Sequence, residues 1–414
     1  MKSALAAPLT LPHRLWRLLP AGGRRRVFAE ATAFLAPHPE RAAPSAGSGL
    51  IVAGELSRSS GLGEGARLMQ KALEHLGIGT WPLDITGPMW PGAAPDLPPP
   101  APLHPPEGAA LALHVNPPML PWVLLHQNRR LLRGRRVIGF WNWELGTVPP
   151  TWKVGARFVH EAWVSSRFTA GAVEPLLPGR VRVVPFPLAI APPAPSRLDR
   201  ASFGLPPDAV VVLVSFSISS SYVRKNPLAA LAAFRAAFAD RADRLLLLKV
   251  GNPSSAPEDF RALAATVADL PNVRLFTQTL PTADNHALTR AADIVLSLHR
   301  SEGFGLVPAE AMLLGKPVVA TGWSANLDFM DEESAALVGY RLIPTIDPRG
   351  VYDVPGALWA EPDIADAARH LSRLADDPPA RAALGARARA MALSRLGTGP
   401  LEQALAAIGL GPRR

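Results

Sequence analysis

The sequence predicts an α/β protein of two domains, each built on a parallel sheet. Three observations carry that expectation. At 414 residues the chain is too long for one ordinary hydrophobic core. Short apolar runs alternate with helical stretches along most of it, as strands joined by crossover helices do. A proline-dense segment interrupts the alternation near the middle, with Pro185, Pro187, Pro192, Pro193, Pro195, Pro206 and Pro207. Such a segment marks a domain boundary. The expected divisions are an Ala/Pro/Arg-rich extension over 1–48, a first domain over 49–187, a second over 188–395 and a C-terminal segment over 396–414.

Composition narrows the function. The chain is 48% hydrophobic and 19% charged, as a soluble globular protein is. It has no cysteine, which excludes disulfides, thiol nucleophiles and thiolate metal sites. Its ten histidines show no metal-ligand spacing. No apolar run approaches the roughly 18–20 residues that span a bilayer. The net charge of +9 invites a nucleic-acid reading, but the arginines are scattered apart from Arg24–Arg26 and the group Arg129, Arg130, Arg133, Arg135, Arg136. No nucleic-acid-binding motif accompanies them. Lysine is confined to Lys2, Lys71, Lys153, Lys225, Lys249 and Lys316. Where an arginine-rich chain keeps lysine, a compact ammonium is the expected need.

In chain order, Leu11–Leu19 with Trp16 forms a basic amphipathic stretch. It is read as a loose extension or a helix packed on the main body, with contact to a membrane surface as the alternative. Prolines interrupt it and no clear cleavage site follows, so a signal peptide is not expected. Leu50–Leu56 is a strand, Ser59–Arg67 a glycine-rich turn and Leu68–Leu76 a helix. Strand, glycine turn and helix can bind phosphate through Gly61 and Gly63, or can simply make a tight turn. Ile78–Ile85 is a second strand, Pro88–Pro106 a long loop and Ala110–Asn116 a third strand. Trp122–Leu132 is helical and Arg136–Leu145 a strand carrying Trp141, Trp143 and Glu144. Those aromatic rings either stack on a sugar or pack in the core.

The second domain restarts at the strand Val210–Phe216, followed by strands at 245–250, 273–276, 294–298 and 317–321. Helices fill the gaps at 227–238, 258–268, 285–291 and 310–314, and two more close the chain at 363–375 and 380–395. Two segments here carry chemistry. Ser217–Pro227 leaves a strand end with serines, then Arg224 and Lys225, then a helix start, which concentrates anion-binding groups. Ser301–Glu310 is a glycine turn between a strand and a helix, with Glu302 and Glu310 on either side. Gly303 and Gly305 let backbone approach a ligand, and paired carboxylates suit hydroxyl groups.

Those residues resemble the Glu-x7-Glu signature of GT-B glycosyltransferases, especially retaining enzymes of family 4. The likeness extends to Ser217–Pro227, which resembles the family's phosphate-binding segment, and to Thr321–Phe329, which is similar to its turn closing over the donor. It implies two Rossmann-like domains with a cleft between them and a C-terminal helix crossing back to the first. It implies a nucleotide-diphosphate sugar as co-substrate, with neither cofactor nor metal; no Asp-x-Asp triplet occurs. By the resemblance Lys225, Arg224 and Glu302 are the catalytic candidates, the cations neutralising the leaving diphosphate and Glu302 facing the sugar. Glu310 would bind the ribose, and the backbone of Gly303, Phe304, Gly305 and Leu306 the sugar or diphosphate. Gly61, Gly63, Ser220 and Lys249 complete the donor side. His114, Asn116, Trp141 and Glu144 are acceptor-side candidates. The chain departs from the pattern at Ser220, where the family has arginine, and at Ala325, where it has glycine. The family's catalytic histidine has no secure counterpart. The acceptor is expected to be a glycan, a lipid-linked sugar or a small molecule. The setting is cytoplasmic, with the inner membrane face as the alternative. The rival readings are a GT-B sugar-nucleotide epimerase, a non-catalytic sugar-nucleotide binder and a basic nucleic-acid binder.

Overall fold

The structure, a computed structural model, describes residues 20–92, 94–101 and 105–411, so Leu11–Leu19 lies outside the described residues. The first sheet contains β1 (Leu50–Gly54), β2 (Thr80–Asp84), β3 (Ala110–Leu113), β4 (Val137–Trp141), β5 (Glu161–Val164) and β6 (Val181–Val183). Their order is β2-β1-β3-β4-β5-β6, and β1 pairs in parallel with both β2 and β3. The second contains β7 (Val210–Ser217), β8 (Arg244–Gly251), β9 (Val273–Phe276), β10 (Ile294–Ser297), β11 (Val318–Thr321) and β12 (Ala336–Val338). Its order is β12-β11-β10-β7-β8-β9, and the pairings of β7 with β8 and β10 are parallel.

The near-continuous apolar strands have a physical cause. Val212, Val214, Leu246 and Leu248 bury one face against the helices Pro227–Phe238 and Ile364–Asp376. Val211, Leu213, Leu245 and Leu247 bury the other against Leu205, Leu288 and Ala292. Because crossover helices cover both faces, no position of such a strand is left for solvent. By compactness the described chain forms two units. One takes in the chain up to Ala66, Thr80–Trp141 and Pro149–Ala162. The other takes in Arg67–Gly79, Asn142–Val148 and the chain from Trp163 onward.

Sheet order fixes where sites can form. In the second sheet the chain runs from β7 to β8 and β9, then crosses back to β10 on the other side. The neighbours β7 and β10 therefore leave the sheet in opposite directions, and the crevice beyond their carboxyl ends is where open α/β sheets bind ligands. The segments leaving them are the two that the sequence marks, 217–227 and 301–310. β1 and β3 make the corresponding point of the first sheet, with the Gly61 turn and His114 beyond them.

Several expectations are corrected. The strand expected over 136–145 stops at Trp141, because Trp143 turns aside to donate its indole N–H to the Thr147 carbonyl at 2.7 Å. The helix expected over 122–132 breaks into Leu120–Leu125 and a 3-10 turn at Arg129–Leu132, where Asn128 caps the turn. The segment expected as an extension or a packed helix contains the helix Ala21–Leu35, which buries Ala29, Thr32 and Ala33 and packs Phe28 on Trp122, in keeping with the second of those readings. An antiparallel ribbon, β13 (Tyr340–Pro344) with β14 (Leu358–Pro362), was not anticipated. The terminal helices are Ile364–Asp376, Pro378–Arg395 and Gly399–Ala407. Among the described residues no helix is long and apolar enough to cross a membrane.

The helix Gly61–His75 starts against backbone. A Cβ on Gly63 would lie 2.4 Å from the Glu55 carbonyl oxygen and 2.8 Å from that of Arg58, while one on Gly61 would meet open space. The Gly63 N–H is already taken by the Ser60 hydroxyl at 3.0 Å. Gly63 thus serves packing. Gly63→Ala is expected to destabilise the fold by about 1–3 kcal/mol through overpacking. Gly61→Ala should change it by less than about 0.5 kcal/mol. Chemical denaturation midpoints check both.

Candidate functional site

The turn leaving β7 is locally strained. Ser221 has φ +79° and Asn226 φ +53°, both in the region that disfavours side chains. Between them runs a single helical turn, Tyr222–Lys225, capped where the Ser221 hydroxyl accepts from the Arg224 N–H at 3.2 Å. Residues held this way persist only where surrounding contacts over-determine them. Here those contacts centre on Arg224, which is 2% exposed. Its guanidinium donates to the Ser301 carbonyl at 2.8 Å and the Ser220 carbonyl at 2.9 Å. It also pairs with Glu302 Oε2 at 3.2 Å and lies 3.6 Å from Glu144 Oε1.

Glu302 lies beyond β10 and is itself buried. Its Oε1 accepts from Lys225 Nζ at 2.5 Å, and its backbone N–H donates to the Ser324 hydroxyl at 2.8 Å. Ser324 holds φ +79° to present that oxygen. Burial works against ionisation of Glu302, but Lys225 and Arg224 outweigh it and hold the carboxyl near 2. Arg224 is held above its ordinary range, its burial offset by the anionic surroundings. One carboxylate thus joins two cations from a different strand end. Of the two cations, Lys225 is the partly open one, its side chain 20% exposed.

The glycine turn is set as firmly. The Gly303 carbonyl accepts from Ser165 at 3.0 Å and Ser166 at 2.9 Å, and a Cβ on Gly303 would come within 3.0 Å of the Trp143 carbonyl. Phe304 turns its ring inward onto Phe186 and Phe329. Gly305, at φ +99°, starts the helix Leu306–Leu313, which no side chain caps. Its first N–H groups suit an anion.

This arrangement has relatives. Residues 199–391 match the model of the family described as glycosyl transferases group 1. The chain is 32% identical over 222 residues to the D-inositol 3-phosphate glycosyltransferase of Kineococcus radiotolerans, covering 51% of this chain and 47% of that one. It spans about half the length of the curated relatives it matches. Among solved structures it superposes on Anabaena HepE, in complex with UDP and glucose, with a TM-score of 0.59. That match has 14% identity and covers 87% of this chain and 99% of HepE. It also superposes on WaaG, a glycosyltransferase involved in lipopolysaccharide biosynthesis, at 0.54 and 17% identity, covering 87% and 99%. The fold is GT-B.

Within the group 1 domain, Glu310 sits on the helix Leu306–Leu313, its carboxylate 3.8 Å from His286 Nε2. Lys249 lies near the end of β8, opposite Ser215, half-buried, and burial lowers its pKa. No contact brings Lys249 to Lys225 or Glu302 among the described residues. Ser220 gives Arg224 its carbonyl, while its hydroxyl turns to the Ser217 carbonyl at 2.9 Å. Ala325 carries no conformational penalty, because the positive φ falls on Ser324 instead. Of the acceptor-side candidates, Glu144 joins the Arg224 cluster. His114, Asn116 and Trp141 belong to the first unit. His114 is fully buried beside Phe140 at 4.4 Å; neither ring nitrogen has a partner, and burial pushes it down to about 3. Trp141 is wholly buried against Trp152, as core aromatics are. Asn116 leads into the turn Pro117–Met119.

Sequence reading missed three groups. His299 is fully buried at the end of β10, with Nδ1 3.0 Å from the Ser297 hydroxyl and Nε2 3.1 Å from Asn326 Oδ1. A polar residue ending an apolar run was the available signal. Asn326 lay within the Thr321–Phe329 likeness without a role. Tyr352, whose ring lies 5.4 Å below the Arg224 guanidinium, sits in a Gly/Pro/Asp-rich stretch with no local signal.

Glu302 gives the domain an acid dependence of defined sign. Its folded pKa is depressed from 4.5 to about 2, so its ionic contribution is complete above 4.5 and is lost as pH falls through that window. That contribution is on the order of 3 kcal/mol. Glu302→Gln should be less stable by about 3–5 kcal/mol near neutrality, because it leaves two cations without their carboxylate. Its denaturation midpoint should fall less steeply than wild type over the same window.

Proposed function

We propose that this protein is a retaining, metal-independent glycosyltransferase that moves a sugar from a nucleotide-diphosphate donor to an acceptor hydroxyl. The observation that supports this most is the buried Glu302 carboxylate held between Arg224 and Lys225 where β7 and β10 diverge in a group 1 domain. In the reaction the bond from the anomeric carbon to the diphosphate breaks, and its electron pair goes to the diphosphate. The acceptor hydroxyl makes the new bond on the same face, and its proton ends on the departing diphosphate. Charge builds on that diphosphate, so a preorganised ammonium beside it lowers the barrier. Lys225, the more open cation, takes that role; Glu302 and Arg224 fix where its charge stands. The uncapped helix at Gly305 receives phosphate or sugar oxygens, and Glu310 the ribose hydroxyls. The setting is the cytoplasm.

The test is a donor screen by mass spectrometry with UDP-, GDP- and ADP-sugars and with glycan, lipid-linked and polyol phosphate acceptors, D-inositol 3-phosphate among them. Transfer with retained configuration is expected from at least one pair. Absence of both transfer and donor hydrolysis throughout overturns the reading, and acceptor-independent epimerisation replaces it. With the active donor at saturation, Lys225→Ala should raise the barrier by about 2.7–4 kcal/mol. Lys225→Arg should recover part of the loss, since a planar fork replaces a point charge. Wild-type turnover by Lys225→Ala would move the role elsewhere, first to Lys249.

A further inference from the structure

The ribbon β13–β14 and the segment joining its strands, residues 345–357, are tied to the segment 217–226 at three places, one of them through Arg300. Arg300, three residues beyond β10, donates through Nε to Glu361 of β14 at 2.8 Å and through Nη1 to the Val223 carbonyl at 2.8 Å. Its backbone N–H donates to the Arg224 carbonyl, and its carbonyl accepts from the Ala360 N–H. Arg349, within the joining segment, donates to the Ile218 carbonyl at 2.9 Å and pairs with Asp259 at 2.5 Å. Asp347 ties the segment into a compact loop by accepting from the N–H groups of Val351 and Tyr352 at 2.8 and 3.0 Å.

Tyr352 is the third contact. It is buried, its ring lies 5.4 Å from both the Arg224 guanidinium and the Trp143 ring, and its hydroxyl faces the Glu144 carboxylate. Glu144 in turn lies 3.6 Å from Arg224. The guanidinium is thus closed in by two carboxylates, two carbonyls and one aromatic face. Within the Ser221–Asn226 turn, which its own φ angles disfavour, the segment 345–357 meets Arg224 through Tyr352. A short ribbon alone is only marginally stable, so an extended surface of this kind needs a use.

We propose that residues 345–357 form a strap that holds the Arg224–Lys225 turn in place, and that Tyr352 is a positioning residue which fixes Glu144 and Arg224 from beneath. The proposal rests on the transferase reading for its effect on turnover, but not for its effect on the turn. Tyr352 acts on the reaction only through Arg224, Glu302 and hence Lys225. Removing its hydroxyl lets Glu144 and the guanidinium shift, which misplaces the ammonium when the bond breaks while leaving donor contacts largely intact.

Tyr352→Phe keeps the ring and deletes the hydroxyl; Arg349→Ala releases the strap at its other anchor and serves as the second variant. Two measurements are made on each full-length protein: amide hydrogen exchange of peptides covering 217–226, and steady-state kinetics with the active donor. The turn's amides should exchange about tenfold faster in both variants, the scale set by losing a hydrogen bond to a charged group. In Tyr352→Phe, kcat should fall about tenfold with donor KM within about twofold, as for a group that acts in the transition state alone. Unchanged exchange in the turn overturns the proposal whatever the turnover. So does a lowered denaturation midpoint with kcat per folded molecule unaltered, the mark of a merely structural tyrosine. If the wild-type protein transfers no sugar, the transferase reading falls, and the exchange measurement still decides whether the strap holds the turn.

Discussion

A carboxylate removed from water must be surrounded by charge of the opposite sign or give up its own. Glu302 is buried and stays ionised because Arg224 and Lys225 both reach it. This one requirement orders much around it. The two cations must come from one turn, the carboxylate from another, and neither backbone can drift without leaving a bare charge in a poorly solvated place. Separating a buried pair costs more than forming it gains. The interaction therefore acts less as a source of stability than as a constraint on geometry. A site whose chemistry depends on where charge stands benefits from that constraint directly.

The surrounding backbone shows what the constraint demands. Ser221, Asn226 and Ser324 adopt positive φ without being glycine, and Gly305 does so with a glycine's freedom. All four lie in the segments leaving β7, β10 and β11. Their hydroxyls and N–H groups close the local hydrogen bonds: Ser221 caps the Arg224 turn, and Ser324 receives the Glu302 N–H. Concentrated strain beyond the carboxyl ends of a parallel sheet agrees with the sheet topology, since the divergence of β7 and β10 opens space there that packing alone would close.

The departures from the family pattern also become physical statements. Ser220 replaces an arginine, yet a guanidinium is still present nearby, supplied by Arg224 and held partly by the Ser220 carbonyl. That guanidinium is enclosed, so it organises the cluster, while the exposed share of positive charge rests with Lys225. Ala325 stands where the resembled pattern has glycine, at a position whose backbone does not need one, since the positive φ lies on Ser324. Its N–H still reaches the Glu302 carbonyl at 3.3 Å.

Much of this was legible in the chain itself. Apolar runs such as Val210–Phe216 and Ile294–Leu298 are long enough and apolar enough to be strands buried on both faces, and helices between them force a parallel arrangement. Glycine and proline placed the turns, and the residues of the cluster stood out as charges beside strand ends: Arg224, Lys225 and Glu302. What the sequence could not determine was which of those charges meet. Lys225 and Glu302 are 77 residues apart and touch only because β7 and β10 are neighbours. Gly63 could be read along the chain as a phosphate-binding or a tight-turn glycine, and only the fold shows it pressed on a carbonyl. Tyr352 and His299 gained their surroundings wholly from tertiary structure, since a ring beneath a guanidinium or an imidazole beside an amide is a relation between distant segments. Local propensity and apolar pattern act over a few residues and so can be read along the chain. Pairing of buried charge, and the strain that secures it, depends on strand order, which only the folded chain decides.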